Sequence, residues 1–162
     1  IYFSATTGLL YADTNNNLTI AGQYFYNGEG YSQTDMTARI NEAEAAMATL
    51  DGNAQALATI TQGLAEAIGG SGGHYVGASA SKSQLFTDKF SASIIAITNL
   101  SDLSGMVRPS IGWDVTDYFT VNLASMFFFG SESSEYGFYG QAVSKGYNGV
   151  SLTLSGTLTG SF

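Results

Sequence analysis

Apolar and polar residues alternate strictly along several stretches of this chain, most clearly at its C-terminal end. Over residues 151–162 the even positions carry Leu, Gly or Phe, and the odd positions carry only Ser or Thr. Successive side chains of a β-strand point to opposite faces, so this period of two predicts a strand with one apolar face. A similar alternation predicts six further strands, at residues 1–11, 18–26, 74–83, 90–96, 107–115 and 119–129.

The connections between these strands alternate in length. The short ones are at 13–17, 84–89 and 114–118. The long ones are at 27–73 and 130–148, and a short one at 99–105 falls on the same side as they do. Successive antiparallel strands therefore place both long connections at one end of the predicted sheet. An eighth strand within 135–143 is the less favoured alternative, because it would move the C-terminus to that end.

In the longer connection, residues 27–73, the apolar residues recur every three or four positions, which is the period of a helix. Its first apolar run is spaced four, three, four and three residues, at Met36, Ile40, Ala43, Met47 and Leu50. A second run follows over 57–68, so the pattern predicts a helical hairpin insert at 33–72 with one apolar stripe on each helix. Six acidic residues against Arg39 give residues 27–73 a charge of −5. The stripes have three alternative roles: packing on each other and on the sheet end, plugging the fold, or docking a partner.

The composition narrows the class of protein. Charged residues make up 11% of the 162 residues, against roughly 25% in a soluble domain, and 20 residues are Gly. The absence of cysteine excludes disulfides and Cys-based metal sites. A net charge of −8 disfavours a nucleic-acid partner, because a phosphate backbone would be repelled. The chain has no apolar stretch approaching the ~20 residues of a membrane helix.

Strands with one apolar face and one small, uncharged polar face suit a membrane β-barrel. Such barrels have strands of about 10 residues, short turns at one end and longer loops at the other. The sequence therefore predicts an all-β fold, a transmembrane antiparallel up-and-down β-barrel. Residues 1–162 would form a single barrel domain or a fragment of one.

The chain resembles a Gram-negative outer-membrane β-barrel protein. The alternation over 151–162 ends in an aromatic residue, and in that family this pattern is the signal read by the barrel-assembly machinery. The resemblance implies that Leu158 and Phe162 belong to such a signal. The stretch 104–113, followed by 116–117, 127–131 and 134–137, is similar to the last hairpins of large porin-like proteins. The resemblance implies a bacterial outer-membrane location, with membrane lipids and lipopolysaccharide as neighbours.

Seven strands are an odd number, whereas single-chain bacterial barrels usually have an even number of at least eight. An open sheet would also leave unpaired backbone edges in lipid, which is prohibitive. We therefore expect the chain to be the C-terminal part of a larger barrel. The remaining N-terminal strands would lie on the same polypeptide or on another one.

Two groups of residues are candidates for a functional role. A charge on the lipid face at mid-membrane costs about 2–4 kcal/mol, so polar residues of the central strands should face the lumen. The lumen-facing candidates are Arg108, Asp114, Thr120 and Asn122. A structural ion pair is the alternative role for Arg108. Aromatic residues near strand ends suit a girdle at the headgroup level, or an ordinary soluble core; they are Tyr24, Tyr26, Trp113, Tyr118 and Phe119.

Catalytic chemistry has little support in the sequence. His74 is the single histidine, and no nucleophile or metal-ligand motif accompanies it. The S-x-x-K match at 79–82 lacks the companion motifs of serine acyl enzymes. We expect no enzymatic activity, catalytic residue, metal or cofactor.

The favoured function is therefore an outer-membrane channel that passes small hydrophilic solutes by passive diffusion. The alternative is a barrel anchor whose acidic helical loop docks a partner protein. A homo-oligomer and a surface partner both stay open. An enzyme barrel and a soluble β-sandwich are weaker alternatives.

Overall fold

A computed structural model describes residues 2–48, 72–116, 119–138, 140 and 150–156. Within them, eight strands form one antiparallel sheet, and one long helix lies outside it. The strands are β1 Ser4–Asp13, β2 Leu18–Asn27, β3 His74–Ser83, β4 Phe90–Asn99, β5 Ser104–Thr116, β6 Phe119–Ser125, β7 Phe127–Phe129 and β8 Val150–Gly156. The helix is α1 Gln33–Ala48.

The strands follow one another across the sheet in chain order. Each hydrogen-bonds to the next from β1 to β6, and β8 pairs with β6. β6 and β7 both pair with β5, and the register does not shift between them. Ala124 of β6 lies opposite Ser110, and Phe127 of β7 lies opposite Val107, three residues further along each strand. β6 and β7 are therefore one pass of the chain, interrupted at Met126. The all-β prediction is confirmed, with the seven passes expected.

The described sheet is not closed. Its order begins with β1 and ends with β8, and these two strands do not pair with each other among the described residues. The alternative of an eighth strand within 135–143 is wrong for the part the structure describes. Residues 135–138 form a helical turn instead, because the side-chain oxygen of Ser134 caps the N–H of Gly137 at 3.2 Å and begins a helix. Several predictions lie outside the described residues, namely the second helix at 57–68, Tyr118, and the assembly-signal residues Leu158 and Phe162.

The short turns lie together at one end of the sheet, called here the lower end. Asp13 accepts the N–H groups of Asn15 and Asn16 at 3.0 and 3.2 Å, which forms the tight turn that the sequence predicts. Asn17 takes a positive φ of 50° and its side chain donates to Gln84 Oε1 of the next turn at 2.6 Å. The connections that contain 28–73 and 130–149 leave the opposite, upper end.

α1 occupies the first periodic run of the long connection. Ser32 caps it, because its Oγ accepts the N–H of Asp35 and donates to the Asp35 carboxylate at 2.7 Å. The two first residues of the apolar stripe, Met36 and Ile40, are buried against Phe138 of the other long connection. No helix among the described residues is long and apolar enough to cross a membrane.

Candidate functional site

The strand register divides the side chains of the sheet into two faces of different chemistry. The apolar face carries, among others, Leu9, Tyr11, Ile20, Tyr24, Val76, Ala80, Ile94, Val107, Ile111, Trp113 and Leu123. The polar face carries, among others, Thr6, Thr19, Gln23, Ser79, Ser81, Ser93, Arg108, Ser110, Asp114, Thr120 and Asn122. The alternation predicted along each strand is thus kept in phase across the whole sheet.

The apolar face is open to its surroundings. Leu9 is 86% exposed, Ile111 is 52% exposed and Leu123 is 49% exposed. These residues lie on different strands, so the exposure belongs to the face as a whole and not to a frayed edge. Soluble monomers rarely expose contiguous apolar patches of more than a few hundred Å², so an apolar face this open would be unusual for one.

Aromatic residues form two bands on the apolar face. The upper aromatic band lies near the long connections and contains Phe3, Tyr24, Tyr26, Phe127 and Phe129. The lower aromatic band lies near the short turns and contains Tyr11, Phe90, Trp113 and Phe119. Phe90 and Trp113 stack with parallel rings 5.8 Å apart. Between the bands the side chains are aliphatic or small.

The two bands run parallel to each other and obliquely across the strands. A line drawn from Tyr11 through the residues that lie opposite one another on successive strands meets β6 at Ser125. Phe119, the lower-band residue of β6, is six residues from Ser125. The corresponding line from Phe127 meets β1 at Leu9, and Phe3, the upper-band residue next to β1, is six residues from Leu9. Both bands are therefore displaced by six residues, in the same direction, over five strand-to-strand steps.

This displacement defines an angle between bands and strands. Six residues span about 20 Å and five steps about 24 Å, so the strands tilt about 40° from the normal to the bands. The bands are eight residues apart both between Phe3 and Tyr11 and between Phe119 and Phe127. At that tilt they are about 20 Å apart, measured perpendicular to the bands.

A lysine lies at the lower end of the apolar face. Lys82 is half-buried, and its Nζ donates to the backbone oxygen of Asn16 in the first turn at 2.6 Å. The long side chain thus carries its charge away from the centre of the face, toward the turns.

All four lumen-facing candidates lie on the polar face, and three of them, Asp114, Thr120 and Asn122, are close neighbours on β5 and β6. Thr120 donates to Asp114 Oδ1 at 2.6 Å, across the β5–β6 pair, and Asn122 lies opposite Gly112. Arg108 is half-buried on β5 opposite Ile95. It has no hydrogen bond or ion pair with another described residue, so the ion-pair alternative finds no partner in this part of the chain. Ser93 and Ser110 also share a 2.7 Å hydrogen bond.

Residues 131–138, which we call the cover, fold back onto the upper part of the polar face. The carboxylate oxygen Oε2 of Glu135 accepts the hydroxyl of Tyr75 and the side-chain amide of Asn99, each at 2.8 Å. The N–H of Glu135 in turn donates to Asp102 Oδ2 at 2.8 Å. Glu135 is fully buried. A carboxylate buried among such donors fixes the cover in one position.

A second set of contacts joins the cover to β5 and to α1. The Oγ of Ser104 accepts the N–H of Tyr136 at 3.1 Å and donates to Asp102 Oδ1 at 2.6 Å. Phe138, at the end of the cover, is 1% exposed and packs on Met36 and Ile40. Both long connections therefore meet above the same face of the sheet.

Sequence reasoning placed residues 131–138 in a connection and did not predict that they fold back onto the sheet. Ser134 is a typical N-cap residue, and that signal alone could have indicated a helical turn after it. The partners of Glu135 could not be predicted, because Tyr75 is 60 residues away in the chain. Asn99 and Ser104 were missed for the same reason.

A cavity of about 320 Å³ lies between the cover and the sheet. Its lining residues are Gln23, Phe25, Tyr75, Gly77, Ile97 and Tyr136. The first five belong to the polar face of β2, β3 and β4, and Tyr136 comes from the cover.

Two of the aromatic-girdle candidates lie in each band. Tyr24 and Tyr26 are in the upper band, where the Tyr24 hydroxyl and His74 Nδ1 are hydrogen-bonded at 2.7 Å. Trp113 and Phe119 are in the lower band. Within the described ranges, no group of three or more His, Cys, Asp or Glu residues is arranged to hold a metal ion, so His74 belongs to no such group.

No protein-family model, curated protein or solved structure matches the chain.

Proposed function

We propose that the chain forms part of a bacterial outer-membrane β-barrel that passes small hydrophilic solutes by passive diffusion. In this proposal the apolar face contacts lipid, the polar face lines a water-filled lumen, and the cover narrows that lumen. No covalent chemistry and no cofactor are involved.

The observation that carries the proposal is the pair of parallel aromatic bands. Strands of membrane barrels tilt about 35–45° from the membrane normal, and aromatic girdles flank an apolar band about 25 Å tall. The bands of this chain are oblique to the strands by about 40° and about 20 Å apart. A soluble sheet has no reason to keep two aromatic rows at a constant separation and slope. The position of Lys82 agrees, since its charge reaches the level of the turns.

Further strands complete the barrel in this proposal. The described sheet has two unpaired edges, and unpaired backbone N–H and C=O groups cost several kcal/mol each in lipid. The edges of β1 and β8 are therefore joined through additional strands, on the same polypeptide or on another one.

The polar face supports a passive channel and not a tightly sealed plug. Ser, Thr and Asn are the commonest side chains of this face, and they hydrate well and bind solutes weakly. Arg108 is its only basic residue among the described strands. Such a surface admits small polar solutes with weak ion preference.

Docking of a partner by the acidic loop is less well supported. Met36 and Ile40, the first residues of the α1 stripe, are already buried against Phe138 within the chain. A partner would have to use the remaining surface of the insert. This alternative stays a prediction.

The test is conductance of the native polypeptide in a planar lipid bilayer. We expect stable open steps, and we expect Arg108→Ser to shift permeability toward cations. A unit charge about 10 Å from a passing ion changes its energy by about 0.4 kcal/mol in water, with opposite sign for cations and anions, so the ratio of their permeabilities should change about fourfold.

Lys82→Gln is the matched control, because it removes a basic charge from the opposite face. It should leave the reversal potential in a salt gradient unchanged. A folded protein that never conducts would contradict the proposal, and so would a larger shift for Lys82→Gln than for Arg108→Ser.

A further inference from the structure

The cavity beneath the cover differs from the rest of the polar face. Ser and Thr are the commonest residues of that face, whereas the cavity is lined by three aromatic rings, of Phe25, Tyr75 and Tyr136. The rings of Phe25 and Tyr75 lie on neighbouring strands, 6.3 Å apart and inclined by 27°. Because Tyr75 is only 6% exposed, the half-buried rings of Phe25 and Tyr136 form most of the accessible aromatic wall of the cavity.

Polar groups accompany these rings without any formal charge. Gln23 is exposed on the same face, and its amide makes no hydrogen bond with another described residue. No Asp, Glu, Lys or Arg is among the described residues that line the cavity. An ionised ligand would therefore lose hydration without gaining a counter-charge.

These properties define the ligand that fits. Flat apolar faces stack on aromatic rings, and hydroxyl groups at a ring edge bind an amide such as that of Gln23. A volume of about 320 Å³ is at the lower end of the range for small-molecule pockets. We propose that the cavity is a binding subsite for an uncharged sugar ring, a pyranose.

The inference deepens the proposed function, on which it rests for access of solute to the polar face. A pyranose would dwell against the aromatic wall during passage, whereas a charged solute of the same size would not. The cover, held by Glu135, brings Tyr136 to the site. Selectivity for uncharged sugars then comes from the cavity and not from the Ser and Thr surface below it.

Gly77 permits a direct test, because it lines the cavity without a side chain. A Cβ built on Gly77 has no neighbouring atom closer than 3.9 Å, so a larger side chain can enter the cavity without a backbone clash. Gly22 is the matched control on the apolar face, where an added Cβ meets nothing within 4 Å. Gly77→Phe should fill the cavity, and Gly22→Phe should leave it empty.

The experiment is saturation-transfer NMR on the native polypeptide in detergent micelles, with methyl β-glucoside as the probe. We expect saturation transfer to the ring protons in the wild type and in Gly22→Phe. The affinity should be about tenfold weaker in Tyr136→Ala, because that variant removes one of the rings on which the sugar stacks. It should be lost in Gly77→Phe.

Three results would overturn the subsite: no transfer to the glucoside, equal transfer in Gly77→Phe, or equally strong transfer to the charged glucuronate. The measurement does not depend on conductance. Binding by a protein that does not conduct would contradict the channel and leave the subsite standing. Conduction without binding would overturn the subsite alone.

Discussion

Gly105 shows how closely single residues fit in this sheet. It is buried on the apolar face of β5, and a Cβ there would meet the backbone oxygen of Ile97 and the ring of Phe129. Gly105→Ala should therefore lower the free energy of unfolding by about 1–3 kcal/mol, the usual range for an overpacked site. Urea unfolding in detergent micelles measures this change.

Gly22→Ala is the control for that substitution. An added Cβ at Gly22 meets no atom within 4 Å, so the change should stay within about 0.5 kcal/mol. Equal effects of the two substitutions would show that the packing of Phe129 on Gly105 does not form in the folded protein.

Tyr75 is the residue through which β3 holds the cover. Its hydroxyl donates to Glu135 and accepts the N–H of Gly72. Tyr75→Phe leaves the Glu135 carboxylate and the Gly72 N–H without this partner. The closed position of the cover should therefore be destabilised by about 1–3 kcal/mol. We expect cleavage of the cover after Glu132 to become about tenfold faster, because proteolysis follows the population of the open form.

Tyr24→Phe is the control, because it also removes a tyrosine hydroxyl, but one whose hydrogen bond, with His74, is exposed. Cleavage after Glu132 should be unchanged in that variant. If Tyr75→Phe and Tyr24→Phe were cleaved at the same rate, the hydroxyl of Tyr75 would have no role in holding the cover.

The elements differ in how far the sequence predicts them. The strands from β1 to β6 follow from a local period of two, which the pairing with neighbours preserves. The break at Met126 has no such local signal. Arg108, Asp114, Thr120 and Asn122 share a face because parity alone decides which side of a strand a residue occupies.

The cover and its cavity could not be predicted in this way. Glu135 meets Tyr75 and Asn99 through contacts between connections and strands that are far apart in the chain. Ser134 indicates a helix start but not the surface on which that helical turn lies. The parallel course of the two aromatic bands also depends on register, which single strands do not reveal.

At the scale of the whole molecule, the account requires that the apolar face contact lipid. Ile94 lies on β4 four residues above Phe90, about halfway between the two aromatic bands at the measured tilt. Ser79 lies on the polar face of the neighbouring strand. Position 94 therefore samples the centre of the apolar band, position 79 samples the lumen, and Trp113 samples the interface.

The most direct test uses Trp113, the single tryptophan of the chain. In vesicles of brominated phospholipids, its fluorescence should be quenched most by bromines close to the headgroups. In a Trp113→Phe background, Ile94→Trp should be quenched most by bromines near the bilayer centre, and Ser79→Trp should be quenched weakly at every depth. A Trp113 that no bromine quenches, or an Ile94→Trp no deeper than Trp113, would contradict a lipid-facing sheet.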